Sequence, residues 1–153
     1  MNNNDVLRRL RYALNLSDVA LVQLFADGGV PAAPEQIWAW MGREGEPDTR
    51  ELTEDTLEAL LDALVLQRRG PPPPHAKVPP TEPLTNNAIL KKLRVALTLR
   101  DEAMLELFAL GGHPLSKAEL GGLFRQRGHL HYRDCGNQLL RAFLAGLAKK
   151  QRG

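Results

Sequence analysis

Cysteine is nearly absent from this chain of 153 residues, because Cys135 is the only one. A single cysteine cannot form a disulfide within the chain, so no covalent cross-link stabilises the fold. Chains without disulfides are typical of reducing compartments, and we therefore expect a cytoplasmic protein. The chain also lacks CxxC and HxxxH motifs, the spacings common in zinc sites, and we expect no metal and no cofactor.

Long apolar runs are missing as well. No stretch approaches the roughly 18 consecutive apolar residues that cross a membrane, and the N-terminal sequence MNNNDVLRRL lacks the apolar core of a secretory signal. Aromatic residues make up only 5% of the chain, so no stacking platform for nucleic-acid bases is evident. The hydrophobic content of 43% is ordinary for a globular protein. These features predict a globular protein with no membrane partner.

What the chain does contain is an internal repeat. The segment NNDVLRRLRYAL at 3–14 returns as NNAILKKLRVAL at 86–97, and a constant offset of 83 residues continues the pairing to the end of the chain. Roughly a third of the paired residues are identical, which indicates a duplication. We expect this segment to form a helix capped by Asn3 or Asn4, because asparagine accepts hydrogen bonds from free N–H groups of the first turn.

The offset divides the chain into three parts. Two similar units are predicted at 1–70 and 86–153. The segment between them, 71–85, is rich in proline, which fixes the backbone and removes hydrogen-bond donors. We therefore predict an extended linker at 71–85.

Each half has the pattern of four helices. Apolar residues recur in four segments at the i, i+3, i+4, i+7 spacing of an amphipathic helix. We expect Arg11 to pair with Asp18 at the start of the next helix, and Arg94 to pair in the same way with Asp101. The predicted fold is all-α, with two similar four-helix units.

One position of the third helix differs strongly between the halves. The first half has Trp38 there, which the helical period places outside the core, and the second half has Gly121 followed by Gly122. Two glycines inside a helix cost about 1 kcal/mol each relative to alanine. Such a cost suggests close packing, so we expect Trp38 and the glycine face to be contact surfaces, for each other or for a partner.

The net charge of +2 conceals an asymmetry between the halves. Residues 1–70 contain 7 basic and 12 acidic side chains, whereas residues 86–153 contain 12 and 5. Two interpretations stay open. The halves attract each other, within the chain or between copies, or the basic half meets a polyanion.

The most chemically diverse stretch runs from Gly128 to Leu147. His129, His131 and Cys135 could be zinc ligands, or Cys135 could be a nucleophile with either histidine as its base. Alternatively, Cys135 is a small buried residue, and the polar groups around it cap the last helix. The stretch also contains polar and cationic residues that suit an anionic group, namely Arg133, Gln138 and Arg141.

The repeated pattern N-N-x-[VI]-L-[RK]-[RK]-L-R-x-A-L, together with the run YRDCGNQLLRAFLAGL, resembles the YehS-like family of small bacterial cytoplasmic proteins. The resemblance covers nearly the whole chain, and its most specific part runs from Arg133 to Arg141. It implies an all-helical tandem repeat. Because it implies no particular activity, function has to be inferred from the residues themselves.

We expect a non-enzymatic binding or regulatory module that contacts a protein partner through its basic second half, or that self-associates. The predicted partner-binding residues are Arg133, Cys135, Gln138, Arg141 and Trp38. Nucleic-acid binding is the first alternative, and an enzyme with Cys135 as its nucleophile is the second. The nucleic-acid alternative uses the basic side chains of the second half, which are Lys91, Lys92, Arg94, Arg125, Arg127, Lys149, Lys150 and Arg152.

Overall fold

The computed structural model describes residues 1–71 and 83–152, and every regular element in these ranges is an α-helix. The helices of the first half are α1 (Asn3–Leu14), α2 (Asp18–Asp27), α3 (Pro34–Trp40) and α4 (Glu54–Arg69). Those of the second half are α5 (Asn86–Ala96), α6 (Asp101–Leu110), α7 (Lys117–Leu123) and α8 (Asn137–Arg152). The prediction of an all-α fold with two similar four-helix units is therefore confirmed.

An asparagine side chain caps α1, but it is not one of the two that the sequence indicated. Asn2 is the N-cap: its side chain accepts a hydrogen bond from the N–H of Asp5, whose carboxylate accepts one from the N–H of Asn2. Thr85 caps α5 in the second half. The expectation for Asn3 or Asn4 was wrong, because both side chains instead donate hydrogen bonds to carbonyls of the loop that precedes α4.

Asn4 fastens this loop to α1. The Asn4 side chain is only 3% exposed. Its Nδ2 donates to the carbonyl of Arg50 at 2.9 Å, and its Oδ1 accepts from the N–H of Leu52 at 2.8 Å. Asn87 makes the same two bonds to the residues 83 positions further on, at 2.9 and 2.8 Å. The repeated Asn-Asn pair therefore has a structural role in both halves.

Glycine sets the distance between helices in the second half, where α6 packs closely on α8. A Cβ atom at Gly146 would lie 1.8 Å from the carbonyl oxygen of Leu107, and one at Gly111 would lie 1.7 Å from that of Ala142. The first half has Ala63 where the second has Gly146, and the contact of α2 with α4 is less extensive.

Each half has one pair of packed aromatic rings in the core, and the two halves use different helices to form it. Phe25 of α2 packs against Trp40 of α3, with ring centroids 5.2 Å apart. The counterpart Phe108 packs instead against Phe143 of α8 at 5.5 Å, and leucine stands at the position equivalent to each partner. Trp40 is 8% exposed. The two halves therefore bury aromatic pairs that come from different helices.

The halves pack against each other through their first and last helices. Helix α1 packs on α8, and α4 packs on α5. The offset of 83 converts one helix pair into the other, so the arrangement has pseudo-two-fold symmetry at the level of helices. We call these contacts the α1–α8 seam and the α4–α5 seam. The buried apolar residues of both halves form one core, which compensates for the small surface that a unit of this size buries alone.

The two ion pairs predicted between consecutive helices are present. Arg11 Nη2 lies 2.6 Å from Asp18 Oδ1, and Arg94 Nη2 lies 2.6 Å from Asp101 Oδ1. The second pair has hydrogen-bond geometry, whereas Asp18 Oδ1 accepts no hydrogen bond from any described residue. Because all four side chains are partly exposed, each pair contributes no more than about 1 kcal/mol.

Most of the linker predicted at 71–85 lies outside the described residues, which omit 72–82. Its extended conformation therefore stays a prediction. At its described end, the N–H of Leu84 donates to the Glu54 side chain of α4.

Measured by length and apolar content, no helix in the described ranges could cross a bilayer.

Candidate functional site

Cys135 is buried where the first half has Leu52. The side chain is 5% exposed, and its N–H donates to Asn87. Burial raises the pKa of the Cys135 thiol to about 11. Reactive cysteines have a lowered pKa, because the thiolate is the nucleophile. The surroundings of Cys135 therefore favour a structural role over a nucleophilic one.

The two histidines of the same loop are exposed. Their ring centroids are 5.7 Å apart, and the N–H of His131 donates to Nδ1 of His129 at 3.0 Å. Cys135 is buried, whereas both histidine rings are exposed. Across residues 1–71 and 83–152, no group of three or more His, Cys, Asp or Glu side chains is placed to hold a metal ion.

Arg133 is paired with a carboxylate of α7. Its Nη1 lies 2.6 Å from Glu119 Oε2, and Glu119 also accepts from the N–H of Ser116 in the capping box of that helix. The Ser116 N–H, followed by the Arg133 guanidinium, lowers the pKa of Glu119 to about 2. Because Glu119 balances its charge, Arg133 has less to offer an external anion than the sequence suggested.

The other predicted partner-binding residues lie on the surface. Gln138 and Arg141 are three positions apart on α8, and both are exposed. Within the described ranges, neither side chain forms a hydrogen bond or an ion pair.

Trp38 is 50% exposed on α3. It does not pack on Gly121, since a Cβ atom there would meet no described atom within 4 Å. The expectation that these two contact each other within the chain was therefore wrong.

The eight basic residues of the nucleic-acid alternative divide into two groups. Three are neutralised by carboxylates: Lys92 by Asp62 at 2.5 Å, Arg94 by Asp101 at 2.6 Å, and Lys150 by Glu106 at 2.7 Å. The other five form no ion pair with any residue in the described part of the chain; they are Lys91, Arg125, Arg127, Lys149 and Arg152. Two of these, Lys149 and Arg152, line a groove that the sequence did not indicate.

This basic groove follows the α1–α8 seam and has a volume of about 810 Å³. Ligand sites in proteins commonly have volumes of this order. Five cations from both halves line the groove together with Tyr12, and they are Arg8, Arg9, Arg43, Lys149 and Arg152. The apolar floor comes from α8 and consists of Leu144, Ala145 and Ala148. None of the described residues that line it is acidic.

Arg152 and Tyr12 join the two halves across the groove. The Arg152 Cζ atom lies 3.9 Å from the centroid of the Tyr12 ring. Arg152 Nη2 also donates to the backbone carbonyl of Tyr12 at 2.9 Å. A cation–π contact of this kind contributes about 0.5–1 kcal/mol at an exposed site. The ring orients the guanidinium without neutralising its charge.

Two other cations are held by carbonyls at helix ends. Arg8 Nη1 donates to two carbonyls at the C-terminal end of α3, at 3.1 and 3.2 Å, and Arg8 also pairs with Asp5. Lys149 Nζ donates to the last carbonyl of α6 at 3.1 Å. Arg9 and Arg43 are exposed, and within 1–71 and 83–152 their side chains form no hydrogen bond or ion pair. Their charges are therefore the most available to a ligand.

The α4–α5 seam carries different charges at the equivalent positions. Asp62, whose counterpart on α8 is an alanine, binds Lys92, the counterpart of Arg9. Leu66 stands where the groove has Lys149. The helix pairs are equivalent, so this difference comes from side-chain substitution and not from the fold.

Sequence reasoning missed the groove because it summed the charges within each half. Three of the five cations belong to the acidic half, and only the packing of α1 on α8 brings them beside the other two. A comparison of the residues related by the offset of 83 could have indicated the difference between the two seams. It shows Leu66 against Lys149, and Asp62 against Ala145.

The fold and the groove define a class: an all-α protein of two duplicated four-helix units, with a basic groove at one of its two seams. The family described as "Protein of unknown function (DUF1456)" matches the chain twice, at residues 3–70 and 86–153, and the chain belongs to this family. It is 34% identical over 151 residues to "Uncharacterized protein YehS" of Escherichia coli (strain K12), covering 99% of this chain and 97% of that protein. No solved structure matches the chain.

Proposed function

We propose that the chain is a non-enzymatic binding module that holds an acidic segment of a partner protein in the groove at the α1–α8 seam. The difference between the two seams carries this proposal. The groove has five cations and no acidic lining residue, and within the described ranges only Arg8 among the five pairs with a carboxylate. At the equivalent seam, Asp62 lies on α4 itself and pairs with Lys92. Concentrated charge of one sign attracts and orients a partner of the opposite sign.

The apolar floor supports a protein segment as the partner. An amphipathic helix places apolar side chains in a groove at spacings of three and four residues, while its flanks meet the rim. An acidic helix of this kind would use both the apolar floor and the cationic rim. A nucleic acid would use only the cations, and the Tyr12 face that Arg152 covers is closed to a stacked base. The reducing cytoplasm expected from a single cysteine is where we place this interaction.

The test compares two double variants that change the net charge equally. Arg9→Glu with Arg152→Glu reverses two charges in the groove, and Lys91→Glu with Arg69→Glu reverses two exposed charges on the helices of the other seam. Tagged proteins are incubated with nuclease-treated cell extract, and retained proteins are identified. The acidic segment of a retained protein is then synthesised, and its dissociation constant is measured by calorimetry. Circular dichroism melts establish that each variant folds.

We expect wild type and the Lys91/Arg69 variant to bind the segment, and the groove variant to bind it at least about tenfold more weakly. Equal binding by the two variants, or no retained protein, would contradict the proposal. Untreated extract provides the comparison with nucleic acid. Recovery of nucleic acid alone, with affinity that falls steeply as salt rises, would support the nucleic-acid alternative in its place.

A further inference from the structure

Trp38 lies in an acidic surface groove on the first half. The groove has a volume of about 350 Å³ and is lined by Trp38 together with Glu35, Glu46 and Asp48. In the described part of the chain, none of these three carboxylates forms an ion pair. Tryptophan that is half exposed beside fixed charges is typical of protein interfaces, where aromatic residues carry much of the binding energy. We call these four residues the Trp38 face.

The equivalent surface of the second half has the opposite character. Gly121 stands where the first half has Trp38, and two exposed arginines that form no ion pair in the described ranges, Arg125 and Arg127, follow it. Leu130 of the same loop is 89% exposed. We call Gly121, Arg125, Arg127 and Leu130 the Gly121 face.

The two neighbouring glycines of α7 have different surroundings. A Cβ atom at Gly122 would lie 2.8 Å from the carbonyl of His131, because the following loop returns across α7 there. A Cβ atom at Gly121 would meet no described atom within 4 Å. Close packing within the chain therefore explains one glycine and leaves the other as an open, side-chain-free surface.

We propose that the Trp38 face of one molecule docks against the Gly121 face of a second copy of this chain. Three carboxylates on one face oppose two guanidiniums on the other, so the charges are complementary. A half-exposed indole opposes a helix surface that has no side chain at Gly121, and the exposed Leu130 supplies an apolar contact. Each molecule carries both faces, so the contact joins unlike surfaces and forms a closed pair or an open chain. This inference does not depend on the partner of the basic groove.

Charge exchange between two variants gives a direct test. The first variant carries Glu35→Lys and Asp48→Lys, and the second carries Arg125→Glu and Arg127→Glu. Each alone presents two faces of like charge, whereas a mixture pairs the lysines of one with the glutamates of the other. Asp27→Lys with Glu58→Lys is the matched control, since it reverses two acidic residues on another surface of the first half.

Sedimentation velocity over a range of concentrations measures the average mass. We expect wild type and the control to associate as concentration rises, each charge variant to stay largely monomeric, and the equimolar mixture to associate again. Trp38→Ala should weaken association at least about tenfold. Wild type that stays monomeric, a control that fails like the charge variants, or a mixture that does not recover would each overturn the proposal. Circular dichroism confirms that every variant is folded.

Discussion

Asn4 and Leu52 are 48 positions apart in the sequence, yet a buried hydrogen bond of 2.8 Å joins the Asn4 Oδ1 atom to the Leu52 N–H. Leu52 is fully buried, so no water can replace this acceptor. The bond fixes the point at which the loop after α3 turns into α4. Its counterpart in the second half, at Asn87, lies in a half-buried setting.

Replacing Asn4 with alanine should therefore destabilise the protein more than the same change at Asn87. An unpaired buried backbone group costs about 1–3 kcal/mol. Asn4→Ala leaves the buried N–H of Leu52 unpaired, together with the part-buried carbonyl of Arg50. We expect a loss of about 2–4 kcal/mol in the free energy of unfolding, measured by urea denaturation, and about half that loss for Asn87→Ala. Equal losses at the two positions would show that burial does not set the cost.

Alanine should have opposite effects at two glycines of the second half. A Cβ atom at Gly146 would lie 1.8 Å from the Leu107 carbonyl oxygen, so α6 and α8 would have to separate. We expect Gly146→Ala to lower the free energy of unfolding by about 1–3 kcal/mol. Gly121→Ala meets open space within a helix and should raise it by about 0.5–1 kcal/mol. Urea denaturation measures both, and a stabilising Gly146→Ala would refute the close approach of the helices.

The Glu119 carboxyl should titrate well below its ordinary range. The Ser116 N–H and the Arg133 guanidinium lower its pKa from 4.5 to about 2 in the folded protein. Because the folded pKa is the lower one, this interaction stabilises the fold above pH 4.5, and its contribution is lost as the pH falls from 4.5 towards 2. An NMR titration of Glu119 should show a low midpoint that rises in Arg133→Met. A wild-type midpoint near 4.5 would be inconsistent with the ion pair.

The Cys135 thiol should react slowly while the protein is folded. Burial raises its pKa from 9.0 to about 11, which lowers the thiolate fraction near neutral pH about 100-fold. The neutral thiol is the form that the fold favours, so this contribution to stability is present below pH 9 and is lost as the pH rises towards 11. Reaction with a disulfide reagent should be at least that much slower in buffer than in urea. Similar rates in both would revive a catalytic role for the thiol.

The sequence predicted most of the fold because its signals are local or repeated. The apolar pattern of the helices and the Arg11–Asp18 and Arg94–Asp101 pairs all depend on spacings of seven residues or fewer. The halves then corroborate each other, since the same pattern in both is unlikely to be coincidence.

The groove could not be predicted in the same way, because it depends on long-range packing. Arg152 meets Tyr12 across 140 positions of sequence. No periodicity within one half shows that α1 will lie on the last helix of the other. The exposed character of Trp38 was predicted correctly from the helical period, but the period cannot tell which surface that side chain meets.

The packing of the first helix of each half on the last helix of the other has an evolutionary consequence. Two separate copies of one such unit, packed in this manner, would form a homodimer in which both seams are identical by symmetry. In such a homodimer, a substitution that added a cation to one seam would add the same cation to the other seam. Once a single gene encodes both units, each seam has its own codons and can change independently. Gene fusion thus allows a bivalent, symmetric ancestor to become a protein with one specialised side.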